Sequence, residues 1–115
     1  MSRAIPILIT LFLLSSSCLA DQIGLASWYG DESGSHTANG EKFIPKLITA
    51  AHRNLPFNTL VAVTRLSSGR TVVVRINDRG PAKRTGRLID LSRGAAAQLG
   101  MLHQGVVKVK IRIVR

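Results

Sequence analysis

Near its end the chain alternates strictly between apolar and polar positions, with a period of two. Val107-Lys108-Val109-Lys110-Ile111-Arg112-Ile113 puts an apolar side chain at every odd position and a basic one at every even position, the pattern of a half-buried strand with one cationic face. Leu60–Leu66 and Thr71–Asn77 are two runs rich in β-branched residues, joined by Ser67-Ser68-Gly69-Arg70. A short glycine-containing connection between such runs predicts a hairpin. Ile23–Tyr29 reads as a first strand broken by Gly30, Ile48–His52 as a short strand, and Arg87–Leu91 as another. The period changes after Asp90-Leu91-Ser92. There Ser92 is placed to cap a short helix over Arg93–Leu99, with Gly100 in the stop position. Asp31–Lys46 and residues 78–86 are rich in loop formers, and Asn54-Leu55-Pro56 reads as a turn. Many short strands and one small helix predict a mainly β domain, a compact barrel or sandwich.

The first twenty residues follow a different rule. Arg3 precedes an apolar run from Ala4 to Leu14, and small residues follow. A basic end, a hydrophobic centre and a small-residue cleavage site are the order of a secretory signal peptide. The run is shorter than the roughly 20 apolar residues a membrane-spanning helix needs. Two routes of processing are expected: cleavage after Ala20, giving a domain over residues 21–115, or lipidation of Cys18 after cleavage at Ser17. Ser15-Ser16-Ser17 lacks the leucine expected three residues before a lipidated cysteine, which favours the first route. Both lead to the bacterial envelope, periplasmic or secreted, with an outer-membrane lipoprotein as the form anchored at Cys18.

Charge narrows the partner. The 115 residues carry 16 Lys and Arg against 6 Asp and Glu, a formal charge of +10. Inside a cell that balance suggests nucleic acid. An exported protein meets envelope phospholipids and wall polymers instead. With one Trp, one Tyr and three Phe, the chain offers few base-stacking surfaces, so nucleic acid is the weaker choice. A charge stripe such as Lys108, Lys110 and Arg112 also has the plain reading of a solvated face.

Candidate chemistry is sparse. Cleavage after Ala20 removes the one cysteine, and with it any thiol nucleophile or thiolate metal site. His36, His52 and His103 lack the spacing of an HExxH metal motif, and neither a phosphate-binding glycine loop nor a GxSxG elbow is present. The residues point to no metal and no cofactor. Carboxylates remain. Asp21, Asp31 and Glu32 read as solvated charges. Glu41 follows the tight turn Thr37-Ala38-Asn39-Gly40, and Asp78 ends a strand just before Gly80 and Pro81. Read alone, Asp78 is either an acid displayed at a strand end or a turn carboxylate that accepts backbone N–H bonds.

Several motifs then occur in one order: Gly24-Leu25-Ala26-Ser27-Trp28-Tyr29-Gly30, Thr37-Ala38-Asn39-Gly40-Glu41, Thr49-Ala50-Ala51-His52, Leu55-Pro56, Val72-Val73-Val74-Arg75-Ile76-Asn77-Asp78-Arg79-Gly80-Pro81, and Arg87-Leu88-Ile89-Asp90-Leu91-Ser92. From about Gly24 to Val114 the chain resembles the rare lipoprotein A family, the RlpA-like septal-ring lytic transglycosylases. The resemblance implies a six-stranded double-psi β-barrel with one short helix after Asp90-Leu91-Ser92. It implies cleavage of peptidoglycan glycan strands, with a preference for strands lacking stem peptides, and active-site roles at Glu41, His52 and Asp78. Many members carry a C-terminal peptidoglycan-binding repeat, and none is expected after the barrel region of this sequence.

In that reading Asp78 is the acid that protonates the leaving oxygen and then the base that takes the muramic C6 hydroxyl proton, giving a 1,6-anhydro end. Glu41 is a second carboxylate that stabilises an oxocarbenium-like state or orients substrate. His52, Tyr29, Asn39 and Arg79 bind substrate or support the site, with Tyr29 preferred over Trp28 for a ring in the groove. Asp90 is mainly structural, as are Gly80 and Pro81. Alternation puts Arg75 and Asn77 on one face of their strand and Ile76 with Asp78 on the other, leaving Arg79 as the cation able to oppose protonation of Asp78. The expected partner is peptidoglycan, met by a monomeric chain. The competing expectation is a non-catalytic, expansin-like module that binds wall glycan. A cationic protein acting on membranes or nucleic acid has support from charge alone.

Overall fold

The computed structural model describes residues 21–30 and 34–115. The signal-peptide and Cys18 lipidation expectations fall on residues 1–20 and lie outside the described residues.

Six strands close into a barrel: β1 (Gln22–Tyr29), β2 (Thr49–Ala51), β3 (Leu60–Arg65), β4 (Thr71–Asp78), β5 (Arg87–Ser92) and β6 (Val106–Ile113). Their order around the wall is β1-β5-β2-β4-β3-β6, with β6 returning to β1. The predicted hairpin is β3–β4, antiparallel, with Gly69 at φ 77° in its turn. The β1–β5 and β2–β4 pairs are parallel, a relationship that connects residues far apart in sequence. Closure removes free sheet edges.

Alternation builds the interior. Val72, Val74 and Ile76 of β4 face inward and are buried, while Thr71 and Val73 face out. On β6 Val109 and Ile111 are buried, and Lys108 and Arg112 are exposed. Val61, Ile89, Leu91, Leu99 and Met101 complete the centre with no measurable exposure. Each such aliphatic side chain contributes about 1.5–3 kcal/mol on burial.

The helix α1 (Arg93–Gln98) begins as expected. The Ser92 hydroxyl accepts from the Ala95 N–H at 3.2 Å and donates to the Leu47 carbonyl at 2.6 Å, so one side chain caps the helix and ties it to the loop before β2. Gly94 allows that approach. A Cβ there would sit 2.3 Å from the Lys46 carbonyl oxygen. Two boundaries differ from expectation in ways that matter: β4 runs through Asp78, and β2 stops at Ala51, leaving His52 just outside the strand.

The alternation of β4 fails at its end. Ala50 is the register partner of Ile76, and Ala51 the partner of Asp78, so Asn77 is an extra residue in the ladder. Such a bulge re-aims the side chains beyond it. The expectation that Ile76 and Asp78 share a face is thereby corrected. Ile76 packs with Ala50 in the core, whereas Asp78 goes with Ala51 to a cleft on the barrel surface.

Candidate active site

That cleft, about 320 Å³, is lined by Tyr29, His36, Ala51, Asp78, Arg79 and Asp90. Its floor follows from strand register. Asp90 of β5 and Asp78 of β4 are both partners of Ala51, and Ser27 of β1 is the partner of Asp90. Four neighbouring strands thus set Ser27, Asp90, Ala51 and Asp78 in one row, with a methyl group between the two carboxylates.

Each carboxylate is held from one side. The Oδ1 of Asp78 accepts the backbone N–H groups of Ala38 and Arg79, both at 2.9 Å. The Oδ2 of Asp78 faces the Tyr29 hydroxyl at 3.5 Å. The Ser27 hydroxyl donates to the Oδ1 of Asp90 at 2.7 Å. Tyr29 sits between these groups. Burial, then the negative charges of Asp78 and Asp90, push its phenol far above the ordinary tyrosine value, so it remains a proton donor.

Tyr29 differs from expectation in another respect. Its ring is buried and stacked on Phe43, with centroids 4.9 Å apart, so it offers the site a hydroxyl and not an open ring face. Trp28 points the other way and packs against the core.

Glu41 is turned elsewhere. Arg75 grips its carboxylate with two hydrogen bonds of 2.8 and 3.0 Å, and the Asn77 amide donates at 3.1 Å. These bonds, with Arg75 first, lower its pKa to about 2. Arg75 and Asn77 do share a face, as alternation implies, and Glu41 is what they share. The Oδ1 of Asn39 accepts the Glu41 N–H at 3.1 Å and the Thr37 hydroxyl, closing the turn that delivers the Ala38 N–H to Asp78. Gly40 adopts φ 92° there, which suits glycine. Asn39 and Glu41 therefore brace the site from outside the cleft.

The sequence-predicted residues do not all meet. The structure gathers Asp78, Tyr29 and Arg79 in one cleft and adds Asp90, whose reading as mainly structural understates its position. Its place beside Asp78 comes from the register of the fold: a carboxylate two strands away, opposite the same alanine.

His52 lies behind the row. Its Nδ1 accepts the N–H groups of Asn54 and Leu55, both at 3.2 Å, which fixes the ring hydrogen on Nε2. Burial, then Arg53 and Arg79, lower its pKa. The Nε2–H is buried and has no partner among the described residues. His52 thus presents a buried N–H at Nε2.

Arg79 turns to backbone carbonyls and forms no ion pair with Asp78 among the described residues. Its guanidinium donates to the backbone carbonyls of His52 at 3.2 Å and Asp78 at 3.4 Å, and lies 4.0 Å above the Phe57 ring. The Gly80–Pro81 bond is cis, with Gly80 at φ 126°. Arg53 anchors that loop through the Pro81 and Arg87 carbonyls. Among the described residues no group of three or more His, Cys, Asp or Glu is placed to hold a metal ion.

Residues 21–111 match the family described as lytic transglycolase. The chain belongs to this family. Among relatives of the lytic transglycolase domain, a probable endolytic peptidoglycan transglycosylase RlpA from Nostoc is 53% identical over 103 residues, which cover 87% of this chain and 28% of the relative. One so described from Synechocystis is 56% identical, over 80% of this chain and 29% of the relative. The endolytic peptidoglycan transglycosylase RlpA of Campylobacter jejuni is 47% identical, over 79% and 33%. The chain thus spans about a third or less of the length of these relatives. Among solved structures, a Streptomyces papain inhibitor superposes with a TM-score of 0.69 at 25% identity, covering 84% of this chain and 96% of that one. A Clavibacter michiganensis expansin superposes with 0.66 at 22% identity, covering 84% and 51%. The lytic transglycolase domain is a six-stranded double-psi β-barrel.

Proposed function

We propose that this domain is a peptidoglycan lytic transglycosylase that cuts the bond between N-acetylmuramic acid and N-acetylglucosamine and leaves 1,6-anhydro-muramic ends. The observation that carries the reading is the row Asp90-Ala51-Asp78 in a surface cleft, on a chain related to proteins described as endolytic peptidoglycan transglycosylases.

The chemistry needs one proton delivered and one removed. Asp78 has Oδ1 occupied by two backbone donors, so Oδ2 is the oxygen that faces substrate. In its protonated form Asp78 gives that proton to the glycosidic oxygen as the C–O bond breaks, and the departing N-acetylglucosamine leaves as an alcohol. The resulting carboxylate then takes the proton of the muramic C6 hydroxyl as that oxygen bonds to the anomeric carbon. One group serves both steps, and no water is consumed. Asp90, kept in place by Ser27, supplies negative charge to the oxocarbenium-like state from the far side of Ala51. The Tyr29 hydroxyl donates into the same space. Glu41, Asn39 and Arg75 keep the turn that positions Asp78.

Strands without stem peptides are the preferred substrate in this reading, and the chain works in the envelope after export by residues 1–20. Digestion of purified denuded sacculi by residues 21–115, with mass analysis of the released ends, tests it. Anhydro-muramic termini that disappear with Asp78→Asn are expected. Strands bound but never shortened would identify a binding module instead.

A further inference from the structure

Arg79 is one of the residues that line the cleft. The ion pairs among the described residues join Arg75 to Glu41, and Arg112 and Lys110 to Asp21; Arg79 takes part in none. Yet its guanidinium is fixed. One terminal nitrogen bonds the His52 and Asp78 carbonyls, and the plane rests over Phe57. The remaining N–H groups of the fork have no partner among the described residues, and the residue is exposed. A guanidinium held by backbone carbonyls and an aromatic face is preorganised to receive a carboxylate, because its charge is oriented but not spent.

We propose that Arg79 binds the free lactyl carboxylate of an N-acetylmuramic acid that has lost its stem peptide. This rests on the transglycosylase reading and assigns its substrate preference to a residue. In a peptide-bearing strand the lactyl carboxyl is consumed in an amide bond. Removal of the peptide exposes one carboxylate per disaccharide. Asp90 places negative charge in the same cleft, so an anion entering there is favoured by a cation among the lining residues. Arg79 is the arginine lining that cleft. An amide carbonyl offers no pair of anionic oxygens for a two-pronged contact.

The test compares glycan strands with free lactyl carboxylates and the same strands with those groups methyl-esterified, so that charge changes and size hardly does. Binding to insoluble strands is read by co-sedimentation, alongside release of anhydro ends. The wild-type chain is expected to bind and cut free-acid strands about tenfold better than ester strands, since a charge-assisted pair is worth that ratio. In Arg79→Gln the ratio falls to about one, chiefly through KM, and Arg79→Lys retains part of it. A wild-type chain indifferent to esterification overturns the proposal, whether or not the variants fold. So does a folded Arg79→Gln that keeps the tenfold preference. A chain that discriminates the two strands in binding yet releases no anhydro ends supports Arg79 and sinks the transglycosylase reading.

Discussion

Asp78 and Asp90 are partners of the same residue, Ala51, one from the parallel neighbour of β2 and the other from its antiparallel neighbour. Adjacent strands lie about 4.8 Å apart, so the two α-carbons are roughly 10 Å apart with a single methyl between them. A glycosidic bond lying across Ala51 would have a carboxylate on each side. The barrel thus builds a two-carboxylate site from one short strand and its two neighbours.

Asp78→Asn should lower the rate of anhydro-end release by about 10²–10⁴-fold, the range for loss of a general acid–base group. Asp90→Asn should cost about 10²-fold, the lower end for a lost electrostatic stabiliser. Because both act in one step, the double variant should be little slower than Asp78→Asn. Single-turnover rates on denuded strands measure all three. Wild-type rates in a folded Asp90→Asn would remove Asp90 from the site.

Ala51 is 3% exposed and its size is what keeps the floor open. Ala51→Leu should drive a branched side chain between the carboxylates, cost about 1–3 kcal/mol of stability through overpacking, and reduce kcat/KM more than tenfold. Ala51→Ser should keep most of the activity. Equal activity in the leucine variant would show that substrate does not cross this row.

The β-rich outline was legible because hairpin β3–β4, the alternating β6 and the Ser92-capped helix are local patterns. The site was legible in part. Asp78 stands out as a carboxylate at a strand end, and its turn reading and display reading both describe it, since two backbone N–H groups hold the oxygen that does not face Tyr29. The place of Asp90 beside Asp78 was not legible, because the two are two strands apart through parallel and antiparallel pairing, which no local pattern encodes. Glu41 turns to Arg75 and Asn77, a direction the sequence does not carry because a turn fixes a direction without revealing which way. The bulge at Asn77 is equally silent in a run of β-branched residues whose sequence carries no break before Asp78.

Glu41 titrates at about 2 in the fold, against an ordinary value of 4.5. A lowered carboxylate pKa means that its contribution to stability is present above about pH 4.5 and is lost as pH falls from there through about 2. Over a third of the side chain is exposed, so solvent screens the pair and the effect is smaller than the shift alone implies. Urea unfolding from pH 7 to 2 should show a stability decline below pH 4.5 that is shallower in Glu41→Gln. The same variant should lose less activity than Asp90→Asn, because Glu41 acts through the turn that holds Asp78. The reverse ranking would return Glu41 to the chemistry.

His52 tests the interior behind the site in a separate pH window. Its folded pKa lies below the ordinary 6.5, so the unfolded chain binds the extra proton first. Stability from neutral His52 is therefore complete above about pH 6.5 and declines as pH drops through the folded value. Protonation would also set an N–H on Nδ1 against the N–H groups of Asn54 and Leu55. Thermal unfolding between pH 7.5 and about 5 should show this decline in the wild type and lose it in His52→Gln, well above the range where Glu41 titrates. Nitrogen NMR at neutral pH should find the ring hydrogen on Nε2. A hydrogen on Nδ1 would mean that the two backbone donors do not hold the ring.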